Sequence, residues 1–273
     1  MTHYLVVPQW QGSPSARAMQ LIDGAEAIAG DLPRAATTIL DVPAEAGDAL
    51  GTSVHRLSSL QRVREQMLAA LEHHAEPVLT IGGDGGVALT AIEHAIARHP
   101  GLAVVWLNAH PALNDPESTP SGAFAGMALR AALGDGVSGL SLAAGTLTSE
   151  RTVIAGARAF DEAELDLISR NDIRSISVDD LRDPQSLAEA VTSTGAAAVY
   201  AHVGLDVLDP AELAGTAHPE PFGATVADVT AALGALRATV PLVGASLTGY
   251  SPASPSAAND DLGPILRLIG ALA

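Results

Sequence analysis

The residues of this 273-residue chain that are best placed for chemistry follow one apolar run. Residues 102–107, Leu-Ala-Val-Val-Trp-Leu, are continuously apolar over the length of a strand, which is typical of a strand buried on both faces of a sheet. Asn108 and His110 come directly after this run. Because open α/β sheets bind their ligands where strands end, the segment predicts a ligand site that contains both side chains.

Three long loops rich in turn residues also follow predicted strands, at residues 111–124, 209–224 and 249–259. The strands of a parallel sheet all end at the same edge, so we expect these loops to crowd one rim of the sheet beside Asn108 and His110. Loops at that rim usually form the binding site.

The segments that must position this rim alternate between apolar runs and helix-period patterns. Predicted strands are residues 3–7, 37–40, 77–81, 102–107, 152–155, 175–178, 197–203 and 242–247, and predicted helices are residues 15–29, 58–74, 87–98, 161–169, 184–194, 225–236 and 261–271. This order predicts the α/β class, with three αβα layers around a mostly parallel sheet of about eight strands. We expect residues 1–273 to form a single domain.

The composition narrows the classes of partner and chemistry. The net charge is −17 and all 14 basic residues are arginines, so neither nucleic acid nor an anionic membrane is expected as a partner. The absence of cysteine and lysine excludes thiol, disulfide and lysine-based chemistry. The chain starts with a strand pattern instead of a leader and its apolar runs are too short to span a bilayer, which predicts a cytoplasmic location.

Four separated strand-end segments resemble, in order and approximate spacing, the motifs of the arginase/agmatinase (ureohydrolase) family. Residues 80–86, Thr-Ile-Gly-Gly-Asp-Gly-Gly, resemble the family's Gly-Gly-Asp-His segment. Residues 108–126 resemble Asp-Ala-His-x-Asp-x-Asn and the substrate loop after it, residues 202–210 resemble Asp-x-Asp-x-x-Asp-Pro, and residues 246–252 resemble Glu-x-Asn-Pro. The resemblance implies an arginase-like fold, in which six side chains would hold two manganese ions.

The resemblance also maps the family's functional positions onto this chain. The six metal-ligand positions correspond to Gly85, Asn108, His110, Ala112, Gly204 and Asp206, of which His110 and Asp206 keep the family's residue type. A proton-shuttling histidine corresponds to Ala125, and the glutamate that grips the guanidinium corresponds to Gly249. Asn114 and Ser121 remain from the loop that holds the amino-acid end of the substrate in arginases, and with Asp84 they are the candidate ligand-binding residues.

These replacements remove what a pair of manganese ions needs. Hard divalent ions prefer carboxylate oxygens, and two adjacent ions need bridging carboxylates to offset their repulsion. One imidazole, His110, and one carboxylate, Asp206, do not supply that set, although they are the candidates for a weak single-ion site. We therefore expect no cofactor. Without the paired metals no bound water is converted to hydroxide at neutral pH, which argues against ureohydrolase activity.

Other polar groups have plainer interpretations. His73 and His74 with Glu72 and Glu76 are adjacent on a helix and point in different directions, and Glu93-His94 with His99 lacks the spacing of a zinc helix. Residues 82–86 could suggest a phosphate loop, but no Gly-Lys-Ser/Thr follows. Asp209 before Pro210 predicts a turn, and His202 and His218 are expected to border the rim loops.

Three functions remain open. The first is a ureohydrolase-fold pseudoenzyme that acts as a regulatory or structural subunit or binds a small guanidino or amino-acid ligand. The second is an enzyme, either a divergent amidinohydrolase that uses manganese at a reduced site or a metal-free catalyst in the same pocket. The third is a metal-free binding protein for arginine-like ligands. The resemblance implies a homo-oligomer, a trimer or hexamer, and a hetero-oligomer with an active paralogue is the alternative.

Overall fold

The computed structural model describes residues 2–74 and 77–273. Its strands are β1 (His3–Val7), β2 (Thr37–Ile39), β3 (Val78–Gly82), β4 (Ala103–Leu107), β5 (Thr152–Ala155), β6 (Arg174–Ile176), β7 (Val199–Gly204) and β8 (Leu242–Thr248). Its α-helices are α1 (Gln20–Asp31), α2 (Leu57–Leu71), α3 (Ala88–Arg98), α4 (Ala128–Ala132), α5 (Glu162–Arg170), α6 (Pro184–Thr192), α7 (Val226–Thr239) and α8 (Pro255–Leu272). Short 3-10 turns connect several of these elements, among them Gly85–Val87 and Leu205–Val207.

The described strands form one eight-stranded sheet in the order β2-β1-β3-β8-β7-β4-β5-β6. Every neighbouring pair in this sheet is parallel. The four central strands β3, β8, β7 and β4 are almost wholly buried, as expected for apolar strands covered on both faces. The predicted α/β class and strand number are confirmed.

Helices cover both faces of the sheet, and the alternation of side chains along β4 shows it. Val105 and Leu107 pack into the core that α1, α6, α7 and α8 cover, whereas Val104 and Trp106 pack into the core under α3, α4 and α5. Successive side chains of a strand point to opposite faces, so a fully apolar strand serves two cores at once. The three αβα layers are confirmed.

The final helix is longer than the sequence pattern predicts. It begins at Pro255 instead of at residue 261, with Ser254 as its N-cap, whose hydroxyl oxygen accepts a hydrogen bond from the Ala257 N–H. Proline suits the first turn of a helix because its missing N–H has no partner there. The predicted loop at residues 249–259 is therefore wrong in its second half.

The other main differences concern helices α1 and α4. Helix α1 begins at Gln20, five residues later than expected, because residues 16–19 form a turn. The short helix α4 lay inside a stretch without a predicted element. None of these differences moves the carboxyl ends of the central strands, which carry the candidate site.

Among the residues that the structure describes, no helix combines the length and the apolar character needed to cross a membrane.

Candidate functional site

A cavity of about 310 Å³ opens at the carboxyl ends of the four central strands. Each strand end contributes polar or glycine residues to its wall, because β3, β8, β7 and β4 are neighbours in the sheet. All nine residues singled out in the sequence line it: Asp84, Gly85, Asn108, His110, Ala112, Asn114, Ser121, Gly204 and Asp206. The structure thus brings together residues that are up to 122 positions apart, from Asp84 to Asp206.

The Asn108 side chain fills the space beside Gly204. Strands β4 and β7 pair directly, with Leu107 beside Val203, so the residues that follow each strand face one another. A side chain on Gly204 would overlap the amide nitrogen of Asn108. The Asn108 Oδ1 atom meanwhile accepts a hydrogen bond from the His110 N–H at 2.7 Å. An aspartate at position 204 would therefore have to displace the Asn108 side chain.

His110 is held between two carboxylates. Its Nδ1 atom lies 3.1 Å from Asp206 Oδ2, and its Nε2 atom lies 3.5 Å from Glu220 Oε1. Burial alone would lower the pKa of His110, but the hydrogen bond and charge of Asp206, with the charges of Glu220 and Glu164, outweigh it and raise the pKa. The imidazole thus favours its charged form and pairs with Asp206, the carboxylate that a metal would otherwise use.

A second histidine lies beside this pair. The ring of His218 stands edge-on to that of His110 with 6.4 Å between centroids, and its Nε2 atom lies 3.5 Å from Ser13 Oγ. Burial, with the charge of His110, lowers the pKa of His218 against the opposing charges of Asp206 and Glu220. His218 lines the cavity wall, which is a closer involvement than its predicted place beside a rim loop.

The rim segment that carries Glu220 is tied down by Arg158. The guanidinium of Arg158 donates hydrogen bonds to the carbonyl oxygens of Asp206 at 2.9 Å, Glu220 at 2.6 Å and Pro221 at 2.8 Å. The guanidinium has five N–H donors in a planar fork, so it can serve several carbonyl oxygens at once. This role could not be predicted from the sequence, because the partners of Arg158 are backbone atoms.

The residues at the six metal-ligand positions do not fit a manganese pair. Gly85, Ala112 and Gly204 have no ligand atom on their side chains, and the oxygen of Asn108 is used by the His110 N–H. Only His110 and Asp206 offer the right donors, and they bond each other. Over residues 2–74 and 77–273, no three His, Asp or Glu side chains converge well enough to hold a metal ion.

Asp84 is buried at the end of β3 and supports the loops around it. Its carboxylate accepts hydrogen bonds from Gln9 Nε2 at 3.1 Å, the Gly12 N–H at 2.9 Å and the Gly86 N–H at 2.8 Å. Burial raises the pKa of Asp84 to about 6 against the effect of these hydrogen bonds. The Gly86 N–H donates to Asp84 and the Gly83 N–H donates to the Val7 carbonyl, so the glycine turn does not present the row of free N–H groups that a phosphate loop needs.

The opposite wall carries two carboxylates that the sequence analysis did not single out. Asp161 caps helix α5 in a capping box with Glu164, and Asn114 donates a 2.6 Å hydrogen bond to Asp161 Oδ2. Glu164 accepts from the Leu113 and Asp161 N–H groups, both at 2.9 Å. Ser121 is exposed at the mouth, and its hydroxyl oxygen accepts from the Ala123 N–H. The Asp-x-x-Glu spacing of a capping box was the available signal for these carboxylates.

His202 was expected to border a rim loop. In the structure it is wholly buried in β7. Its ring stacks on Trp106 with 3.8 Å between centroids, and its Nδ1 atom lies 2.9 Å from Ser246 Oγ. Its Nε2 atom has no hydrogen-bond partner among the described residues. Burial lowers the pKa of His202 to about 3, so its imidazole is neutral at physiological pH.

This burial predicts an acid-sensitive fold. The unfolded chain takes up a proton at His202 below about pH 6.5, whereas the folded chain does not until about pH 3. The contribution of His202 to the free energy of unfolding is therefore fully present above pH 6.5 and falls by about 1.4 kcal/mol per pH unit below it. Urea unfolding at pH 7.5, 5.5 and 4.5 measures this change.

The matched control for this prediction is His202→Phe, which keeps a ring against Trp106 and removes the titrating group. We expect the free energy of unfolding of this variant to fall less steeply between pH 7.5 and 4.5 than that of the wild type. Parallel pH profiles would contradict the assignment of the acid response to His202.

The remaining histidine groups form no comparable site within the described residues. His73 is exposed, and Glu76, part of the same sequence cluster, lies outside the described residues. His94 pairs with Arg98, with 3.0 Å between Nδ1 and Nη1, and Glu93 pairs with Arg64. Asp209 organises a turn as predicted, because its carboxylate accepts from the Ala211 and Gly223 N–H groups.

Comparison with known proteins identifies the family of this chain. The family model of the arginase family matches residues 23–261. The arginase of Staphylococcus aureus is 30% identical over 164 residues, which is 57% of this chain and 54% of that protein. The chain thus spans about half the length of the curated relatives it matches.

Solved structures share the fold over nearly the whole chain. The arginase of Entamoeba histolytica in complex with L-ornithine superposes with a TM-score of 0.87 at 20% identity, covering 99% of this chain and 97% of that one. The arginase of Bacillus subtilis superposes with a TM-score of 0.84 at 22% identity, covering 100% and 98% of the two chains. At these identities the likeness establishes the fold alone.

Proposed function

We propose that this chain, which belongs to the arginase family, binds an α-amino acid in its strand-end cavity. In this proposal the cavity has no binuclear manganese centre and does not hydrolyse guanidino compounds. The observation that carries this proposal is that the groups at the metal positions bond one another. His110 pairs with Asp206, and Asn108 fills the space above Gly204. Such a site is complete without an ion.

The choice of an α-amino acid follows from the wall that keeps its polar groups. Asp161 and Glu164 place two carboxylates where an ammonium group would be neutralised, and Asn114 lies beside them. By family resemblance, Asn114 and Ser121 hold the amino-acid end of the substrate. The arginase of Entamoeba histolytica, which shares the fold, was crystallised with the α-amino acid L-ornithine.

The role that follows is that of a ligand-responsive subunit. Ligand binding stabilises the folded state that binds it, so an occupied cavity would change the stability and surface of the rim loops. A regulatory or structural subunit of an active relative, or of a homo-oligomer, would use such a response. We propose a cytoplasmic location for this role.

A second candidate is a divergent amidinohydrolase with a reduced metal site. Its support is that curated relatives such as that of Staphylococcus aureus are named arginases and that His110 and Asp206 lie 3.1 Å apart in the cavity. One imidazole and one carboxylate could hold a single ion weakly. This candidate requires release of urea or a related product.

Isothermal titration calorimetry of the full chain distinguishes the two candidates. We expect saturable binding of L-ornithine or L-arginine in EDTA, unchanged when manganese replaces EDTA, and no urea release in either buffer. Binding or urea release that requires manganese would overturn the first candidate in favour of the second.

A matched pair of variants on helix α5 locates the ligand. Asp161→Asn removes a charge from the cavity wall and should weaken amino-acid binding roughly 10- to 100-fold, the range for losing a charged hydrogen bond. Asp166→Asn changes a side chain that is 70% exposed and should leave binding unchanged. Equal affinities for the two variants would show that the ligand does not contact this wall.

A further inference from the structure

We propose that the floor of the cavity recognises a neutral amide or ureido end group, held by His202 Nε2 and Thr248 Oγ1 at the gap that Gly85 leaves. This inference rests on the proposed function and names its ligand class: an α-amino acid whose side chain ends in such a group. The wall that carries Asp161 and Glu164 would bind the amino-acid end of the ligand, and the floor would bind the end group of its side chain.

The gap is a property of two glycines at the cavity floor. A side chain on Gly85 would begin 3.9 Å from His202 Nε2 and 4.0 Å from Thr248 Oγ1, with nothing nearer. A side chain on Gly249 would meet only the Leu205 nitrogen, at 3.7 Å. The floor therefore has room for a small group at the position from which a family histidine would project, and the nearest atoms there are polar.

His202 supplies the observation that points to a ligand. Its ring is wholly buried, and Nε2 is a polar atom without a hydrogen-bond partner among the described residues. Buried polar atoms in native proteins nearly always have a partner, so one that lacks it calls for a water or a ligand group. The atom nearest to the open side of Gly85 is this same nitrogen.

The two polar atoms suit a group that both donates and accepts. The Nδ1 atom of His202 lies 2.9 Å from the Ser246 hydroxyl, which can either donate or accept, so Nε2 is free to take the complementary role. The Thr248 hydroxyl likewise donates and accepts. An amide or ureido group offers an N–H and a C=O side by side, which matches this pair.

Charge at the floor disfavours a cationic end group relative to a neutral one. Asp84 already accepts three donors, and Asp206 is paired with His110. Gly249 stands where the family resemblance places the glutamate that grips a guanidinium. A guanidinium buried here would lose water without gaining a free carboxylate, which is unfavourable.

L-Citrulline and L-arginine test the inference because they have nearly the same shape and differ in the charge of the end group. Calorimetric titration of the full chain in EDTA should show L-citrulline binding at least about tenfold more tightly than L-arginine. A tenfold ratio corresponds to about 1.4 kcal/mol.

Three substitutions test whether the residues at the gap cause the preference for L-citrulline. Gly85→Ala puts a methyl group into the gap without a clash, Thr248→Val removes the hydroxyl, and His202→Phe removes Nε2. Each should weaken L-citrulline binding by roughly three- to tenfold, the range for losing a neutral hydrogen bond. Each should leave L-ornithine binding within about twofold, because that ligand has no neutral end group.

The control variant is Gly126→Ala, which adds a methyl group to the same cavity at a position with no atom within 4 Å. It should leave the preference for L-citrulline over L-arginine unchanged. Thermal unfolding of each variant checks that it folds, and Gly85→Ala keeps the test decisive if His202→Phe does not.

The outcomes separate this inference from the proposed function. Arginine binding as tightly as citrulline, or citrulline binding unchanged in Gly85→Ala, would overturn the neutral end group and indicate a bound water only. Ornithine or arginine would then still bind in EDTA, and the proposed function would stand. Failure of all three amino acids to bind the wild type would overturn both.

Discussion

Replacing Gly83 with alanine should lower the free energy of unfolding by about 3 kcal/mol, because the added methyl group has no space. Strands β1 and β3 run side by side, and the methyl group would overlap the carbonyl oxygen of Gln9. That atom belongs to the backbone, so no side-chain rotation relieves the overlap. The Asp84 N–H donates to the same oxygen at 3.0 Å, so the strain would also disturb the hydrogen bonds of Asp84.

The matched control for this prediction is Gly85→Ala, two residues along the same turn. The nearest atom to its new methyl group is 3.9 Å away, so we expect the free energy of unfolding to change by less than about 0.5 kcal/mol. Urea unfolding followed by circular dichroism measures both variants. Equal losses of stability would show that the close approach of Gly83 to Gln9 does not limit the fold.

Replacing Trp106 with alanine should cost roughly 3–5 kcal/mol of the free energy of unfolding, as for other large aromatic side chains in a core. Trp106 is 1% exposed, donates its indole N–H to the His110 carbonyl at 3.2 Å and stacks on His202. It therefore fixes both the strand end that carries His110 and the ring behind the cavity floor. Far-UV circular dichroism is the suitable probe, because the substitution removes one of the two tryptophans.

The control for this loss is Trp106→Phe, which keeps an aromatic ring against His202 and removes the N–H donor. We expect it to cost less than half as much as Trp106→Ala, mainly through the lost hydrogen bond and the smaller ring. An alanine variant as stable as the phenylalanine variant would mean that the His202 ring does not depend on this packing.

The strands and the rim of the sheet could be predicted because their signals are local. A continuous run such as residues 102–107 can be buried only as a central strand, and a parallel sheet then brings all strand ends to one edge. The same reasoning, with the family resemblance, predicted which nine residues would meet in the cavity. Turn chemistry was also local, as the hydrogen bonds of Asp209 show.

The contacts that give the site its character could not be read from the sequence because they depend on strand pairing. His202 stacks on Trp106 since β7 pairs with β4 in a register that places them side by side. The overlap of Asn108 with a side chain at Gly204 has the same origin. Glu220 reaches His110 from a long loop whose backbone is tied by Arg158. A single sequence does not specify any of these distances.

The contact between Asn108 and Gly204 means that single substitutions are not expected to restore a metal site. An aspartate in place of Gly204 would overlap the Asn108 amide. A histidine in place of Gly85 would still have no neighbouring ligand at position 112, because the Ala112 side chain has no ligand atom. Restoring one ligand at a time therefore adds a charge without a metal to balance it, which is unfavourable in a buried cavity. If the proposed function is right, we expect ureohydrolase activity only when several of these positions change together.

The central claim is that this cavity is complete without manganese, and the metal content of the protein tests it most directly. The full chain would be incubated with excess manganese, desalted and analysed by inductively coupled plasma mass spectrometry. We expect the manganese content after desalting to be far below one ion per chain, as in a sample treated with EDTA. One or two ions retained per chain would contradict it, and would show that His110 and Asp206 recruit further ligands.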